Sequence, residues 1–323
     1  MSGMTSARFA WSVLRGRPFS LLVQVTNRCN LACPFCDFWP NPDLRGELTT
    51  AELARVAREL PGPTLVSIEG GEPMVRPDLT EIVAGFADAG HLPLLYTNGW
   101  FIDAARAQTL LRAHQVGVSI DFPDAARHDA MRRGAGAWAR AVAAVEHLRD
   151  TLGPTRVHVM TVLMKENEGD LDALLSLSAR LGVLHQVTLI SDQGFRRGAE
   201  GSRPTAAAMA ALPELARRWT HFRAFRSYLE GVPRFLEGGE LPRCRAGHQS
   251  FNLDHVGNVA ACIETIDRPV GNVREASIPT LLARLADADR GAGCQACWTL
   301  CRGMSQALGQ GGSPRAWSDL ARM

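Results

Sequence analysis

Short apolar runs alternate with amphipathic stretches between about residue 20 and residue 190. Residues 21–26 (LLVQVT) open the series as a run of strand formers. Segments 64–69, 92–97, 117–122, 156–163 and 185–190 repeat the theme. Helical periods fill the gaps. Thr49 with Glu52 forms a capping box ahead of Leu53, Val56, Ala57 and Leu60, which share one helix face. Asp78 with Glu81 repeats that signal before Ile82, Val83 and Phe86, and 138–148 and 171–181 are further amphipathic helices. Six strands alternating with helices predict an α/β fold with parallel pairing through right-handed crossovers. A partial (β/α)6 TIM-like barrel and a doubly wound sheet both satisfy the pattern. In either, the active site lies on the loops at the C-terminal strand ends.

The alternation stops at 194–201 (GFRRGAEG), and helical sequence resumes over 212–229. From Leu241 the texture changes again. The tail holds most of the cysteines, glycine turns at Gly257-Asn258 and Gly271-Asn272, and a helix near 280–288. It reads as a small metal-stapled module. The predicted organisation is an N-terminal extension (1–19), a barrel core (20–195), a helical linker (196–240) and the C-terminal module (241–323).

Composition narrows the function classes. With 46% hydrophobic and 21% charged residues, the 323-residue chain is too rich in core formers for disorder. A net charge of +2 provides no attraction for nucleic acid or an anionic membrane. No apolar run approaches the ~20 residues of a membrane span, and the N-terminus lacks a signal-peptide pattern, so the expected location is the cytoplasm. The eight cysteines fall in two groups, Cys29, Cys33 and Cys36, then Cys244, Cys262, Cys294, Cys297 and Cys301. A reducing compartment and a chain of this size both argue against disulfides, and clustered cysteines then point to metal or redox chemistry.

Cys29-x3-Cys33-x2-Cys36 sits directly after the first strand. Three thiolates on one tight loop hold three corners of an iron–sulfur cube and leave one iron open. Zinc is the alternative, although a structural zinc wants a fourth protein ligand and none lies nearby in sequence. With Phe35 before Cys36, the run resembles the C-x3-C-x-aromatic-C hallmark of the radical S-adenosylmethionine (radical SAM) superfamily. The resemblance implies a [4Fe-4S] cluster whose open iron chelates S-adenosylmethionine. It also implies reductive cleavage to a 5′-deoxyadenosyl radical that abstracts hydrogen from a substrate. Gly70-Gly71-Glu72-Pro73, after the second strand, is similar to the family segment that contacts the methionine moiety. By the same resemblance Asn98, Ser119 and Asp121, at the ends of the third and fourth strands, meet the ribose or methionine part of the cofactor. For Asp121, capping the next helix is an equal alternative.

Cys244-x12-Gly257-x4-Cys262 followed by Cys294-x2-Cys297-x3-Cys301 resembles the SPASM and twitch extensions of that superfamily, which hold auxiliary clusters. Five cysteines satisfy one four-ligand auxiliary [4Fe-4S] cluster with one to spare. Cys244, Cys262, Cys294 and Cys297 are the expected ligands and Cys301 the spare, with exchange of Cys297 and Cys301 as the alternative. Four cysteines suit zinc equally by spacing. The resemblance implies a net oxidation or bond-forming step in a biosynthetic pathway, on a small-molecule or peptide substrate, in which the auxiliary cluster relays an electron. A peptide-modifying maturase forming a thioether or carbon–carbon crosslink is the alternative. A flavodoxin or ferredoxin is the expected reductant. Gln24, Tyr96, His158, Asp192 and Gln193 are candidate inward groups for a base, none of them assigned. An electron carrier or a zinc-stapled binding protein remain the non-enzyme readings.

Overall fold

A computed structural model describes residues 3–40, 46–192, 201–289, 291 and 293–323. Gln193 and most of the 194–201 loop lie outside them. Six strands appear where the apolar runs predict them: β1 (Ser20–Thr26), β2 (Leu65–Gly70), β3 (Leu92–Thr97), β4 (Gln115–Ser119), β5 (Val157–Leu163) and β6 (Leu184–Leu189). Each pairs in parallel with its sequence neighbour, and at least one helix separates each strand from the next. The interior strands are buried on both faces, as parallel sheets require. β4 starts and stops earlier than its apolar run suggests, which leaves Asp121 beyond the strand rather than at its end.

The tail adds three strands, β7 (Ser250–Leu253), β8 (Asn258–Ala260) and β9 (Gly271–Asn272). The Gly257 turn joins β7 and β8 as an antiparallel hairpin, with φ +97° at the glycine. This hairpin does not stand apart. β7 pairs in parallel with β1, so one nine-stranded sheet runs β6-β5-β4-β3-β2-β1-β7-β8-β9. The small C-terminal module therefore continues the barrel sheet. Phe251 and Leu253 of β7 join the same core as Leu21, Val23 and Ile68 of the barrel strands.

Local expectations divide. At Thr49 the capping box is complete: Glu52 N–H donates to Thr49 Oγ1 (3.2 Å) and Thr49 N–H to Glu52 (2.8 Å). At Asp78 it is absent, because that carboxylate accepts instead from Arg76 and from Thr50 (2.6 Å). The 212–229 helix is two helices, Leu212–Arg218 and Arg226–Leu236. Between them the chain lies along the outer edge of β6, where Arg223 N–H donates to His185 O (2.8 Å) and His185 N–H to His221 O (3.0 Å). An edge strand is thereby covered. Helix Pro314–Arg322 closes the N-terminal end of the barrel, where Gln115 donates to the Met323 carbonyl. No helix among the described residues is long and apolar enough to cross a membrane.

Candidate functional site

The loop leaving β1 carries the first three cysteines. Leu31 N–H donates to Cys29 Sγ (3.4 Å), while Cys36 N–H (3.2 Å) and the Trp39 indole (2.9 Å) both donate to the Cys33 carbonyl. From the opposite side, the Arg132 carbonyl accepts from Ala32 N–H (3.4 Å). The Arg132 guanidinium stands 4.0 Å from Cys33 Sγ and 5.4 Å over the Phe35 ring. Burial pushes the Cys29 thiol up to about 12, with Glu72, Cys33 and Cys36 adding like-charge repulsion. Burial likewise raises Cys33, opposed by Arg132. One buried and two half-buried thiols whose charges repel one another fit a polynuclear metal centre, because iron supplies the positive charge their ionised forms need.

Gly70 and Gly71 are obligatory for a reason the sequence does not show. A Cβ on Gly70 would lie 2.2 Å from Thr26 O, and one on Gly71 would lie 2.1 Å from Arg28 O. The N–H groups of Gly71 and Glu72 donate to those two carbonyls (both 2.8 Å). These amides clamp the cysteine loop to the end of β2 and are therefore spent within the protein. Both glycines still line the central cavity. Pro73 starts a 3₁₀ turn, Pro73–Val75, which Glu72 caps through Met74 N–H (2.9 Å). The same carboxylate accepts from Thr97 Oγ1 (2.8 Å) and Asn98 N–H (2.7 Å). Burial raises its pKa and those three donors oppose the rise. Glu72 thus ties the ends of β2 and β3 together. Asn98 extends the tie, donating to Asn30 in the cysteine loop (2.9 Å).

Ser119 lines the cavity at the end of β4. Asp121 lies beneath the cavity wall and is fully buried. It takes two hydrogen bonds from Arg132 (2.8 and 2.5 Å) and one from Val162 N–H (3.0 Å). Asp124, not Asp121, caps the next helix. Asp121 thus neutralises Arg132 rather than capping the helix. Arg132 is the functional residue that sequence reading passed over, since it stands in an Arg-Arg-Gly run typical of a solvated surface. A weak signal was available: His128 and Arg132, four residues apart on one helix, share its buried face.

The second group gathers around the hairpin. Cys244 precedes β7, Cys262 follows β8, and Cys294 and Cys297 stand on the loop before helix Leu300–Leu308. Cys244 and Cys294 share a hydrogen bond, which holds Cys294 below the ordinary thiol range and Cys244 above it. Burial raises Cys297 to about 11, with Glu264 and Cys262 adding repulsion. Each of these four thiols feels the charge of another, so they form one electrostatic group. Cys301 lies on the first turn of helix Leu300–Leu308 and packs with Cys36 against Leu22, Phe38 and Ile263. Among the described residues, no three His, Cys, Asp or Glu side chains close on a point that holds a single metal ion. All eight thiols instead border one space.

That space is a cavity of about 1320 Å³, walled mostly by apolar side chains such as Leu22, Leu94, Met160 and Ile190. The base candidates are distributed unevenly around it. Tyr96 lines it, and burial raises its hydroxyl above the ordinary value. His158 sits behind the wall, edge-on to Tyr96 at 5.7 Å, with burial lowering it to about 3. Gln24 is buried and bonds Asn252 (3.3 Å), and Asp192 pairs with Arg203 (2.5 Å). Glu264, just after Cys262, lines the cavity and was not anticipated.

The chain matches the Radical SAM superfamily over residues 23–177. It is 34% identical over 256 residues to the mycofactocin maturase MftC of Mycobacterium ulcerans, covering 76% of this chain and 68% of that protein. It is 31% identical to the AdoMet-dependent heme synthase of Nitratidesulfovibrio vulgaris, covering 82% and 79%. It is 36% identical to the PqqA peptide cyclase of Gluconobacter oxydans, covering 51% and 47%. The chain spans about two thirds of the length of the mycofactocin maturases, 64% for that of Mycolicibacterium smegmatis. Among solved structures, Streptococcus suis SuiB bound to precursor peptide SuiA superimposes with a TM-score of 0.69 at 16% identity. That match covers 91% of this chain and 74% of SuiB.

Proposed function

Since the chain belongs to the radical SAM superfamily, whose members use a [4Fe-4S] cluster and S-adenosylmethionine, we propose that it oxidises a peptide substrate seated between two iron–sulfur clusters. The observation that carries this reading is that both cysteine groups and the Gly70-Gly71 segment open onto one cavity. When bound, the first cluster with S-adenosylmethionine supplies a carbon-centred radical that takes a hydrogen atom, and the second supplies an acceptor for the electron lost next.

The chain's own residues do the positioning. Cys29, Cys33 and Cys36 hold the first cluster, and Phe35 packs its loop against Arg132. Gly70, Gly71, Glu72, Asn98 and Ser119 form the wall against which the S-adenosylmethionine rests, and Pro73 starts the turn that holds Glu72 in it. Cys244, Cys262, Cys294 and Cys297 hold the second cluster. The apolar walls exclude water from a reactive radical and favour an apolar side chain of the substrate. A peptide is favoured over a free small molecule by the likeness to the PqqA peptide cyclase. The sheet supports a two-part chain, with a barrel of residues 20–195 and a cluster-bearing tail from 241 continuous with it.

Anaerobic reconstitution should load about eight iron atoms per chain, from two four-iron clusters. Dithionite should then drive cleavage of S-adenosylmethionine to 5′-deoxyadenosine. Replacing Cys29, Cys33 and Cys36 together by Ala should abolish cleavage while the iron of the second group persists; continued cleavage by that variant overturns the assignment. For the substrate, short peptides encoded beside the gene should lose the mass of two hydrogen atoms in mass spectrometry. Loss only from a non-peptide metabolite overturns the peptide reading.

A further inference from the structure

Each cysteine group is built around one buried arginine, and the two are neutralised differently. Arg132, beside the first group, is held by the carboxylate of Asp121. Arg302, beside the second, is 4% exposed. Among the described residues, its hydrogen bonds all go to main-chain carbonyls: Cys297 (3.1 Å), Pro242 (2.7 Å) and Cys294 (2.9 Å). Its guanidinium lies 5.9 Å from the Trp298 ring centroid, and its Nε–H donates to no acceptor among those residues. Carbonyl dipoles do not cancel a full charge, and a buried cation without a counter-charge is expensive.

The negative groups within its reach are the thiols themselves. Arg302 bonds the main chain of two of them, Cys294 and Cys297, and lines the same cavity as Cys244 and Cys262. Glu264 lines that cavity too and carries the opposite charge. Arg268 also lines it but is exposed, so solvent screens it.

We propose that Arg302 is a positioning and potential-setting residue for the auxiliary cluster: its uncompensated charge raises the cluster's affinity for an electron. The proposal rests on Cys244, Cys262, Cys294 and Cys297 being the ligands. Reduction adds one negative charge to a cluster that four thiolates already make anionic. A fixed cation in a low-dielectric pocket stabilises the reduced form more than the oxidised one. The electron that leaves the substrate after hydrogen abstraction is then accepted downhill, while the first cluster, whose arginine is already neutralised, keeps the low potential its own task demands.

The test uses the full chain with Cys29, Cys33 and Cys36 replaced by Ala, so that only the second cluster is read. Iron is counted per chain, and the midpoint potential is measured by redox titration followed by electron paramagnetic resonance. Arg302→Met should lower the ratio of reduced to oxidised cluster about tenfold at fixed potential, a midpoint about 59 mV more negative for a one-electron couple. Arg302→Lys, which keeps the charge, should stay near the parent. Retention of iron by the Lys variant alone also supports the proposal, because charge is then what the cluster requires. A Met variant with full iron and the parent midpoint overturns it. Loss of iron from both variants overturns it as well, since the guanidinium then acts only as a fastening for the loop. A parent without iron overturns the ligand assignment itself, and the proposal with it.

Discussion

At the scale of single residues, buried charges organise this protein. Asp121 and Arg132 form an ion pair in which the acid is fully buried and the base nearly so. Removing one partner leaves the other charged and unsatisfied, which costs about 3–5 kcal/mol. Asp121→Asn should therefore unfold at distinctly lower urea concentration than the parent, and its first cluster should load poorly because Arg132 holds the cysteine loop. Arg76 and Asp78 form a second pair, nearer the surface. Arg76 first, and Thr50 after it, hold the Asp78 carboxyl below its ordinary 3.8, at about 2. Its folded pKa is depressed, so its stabilisation is present above pH 4 and fades as the pH falls toward 2. Asp78→Asn should be less stable than the parent at pH 7. The gap in urea midpoint should shrink as the pH falls from 4 toward 2; a constant gap would contradict the pairing. Neither pair is visible in sequence: Arg132 stands in a run that looks solvated, nothing local marks Arg76, and only their burial shows what they do.

At the scale of elements, strand ends and the turns after them decide the site. The clamp between β1 and β2 works because no Cβ intervenes at Gly70 or Gly71. Gly71→Ala forces a backbone carbonyl to retreat, at a cost of about 1–3 kcal/mol in strain. The expected result is reduced iron in the first group after reconstitution, read as iron per chain. Gly169→Ala, where nothing lies within 4 Å of an added Cβ, should load normally. Elements specified by local chemistry were the legible ones. Thr49 and Glu52 cap a helix with atoms three residues apart, and the apolar runs give six strands with their order. The Asp78 cap failed because its oxygens are taken by Arg76, two residues before it, and by Thr50, 28 residues away.

At the scale of the whole molecule, the tail completes the sheet. β7 covers the outer edge of β1, and Phe251 and Leu253 fill core beside Val23 and Ile68. The helices between residues 206 and 236 pack under the barrel with Leu163, Leu189 and Trp298, so they are more than a connection. A chain ending at residue 240 should therefore lack a cooperative thermal transition and should self-associate, as circular dichroism and size-exclusion chromatography would show. A compact monomer would mean that the barrel is independent of its tail. The same continuity places both cysteine groups on one cavity, although more than two hundred residues separate Cys36 from Cys244.

The sequence alone determined what local spacing encodes: alternating strands and helices, a three-cysteine loop after β1, a glycine pair after β2 and a cysteine hairpin around Gly257, and the resemblance these motifs carry pointed to the family and its cofactors. Spacing suffices there because each signal spans a few residues and is read by the backbone or by one metal centre. The tertiary structure decided which side chains meet across the sheet. It gave Asp121 to Arg132, tied Glu72 to Asn98, left Arg302 among carbonyls and thiols, and joined the tail to β1. Those outcomes depend on burial and on long-range register, quantities that exist only once the chain has closed on itself.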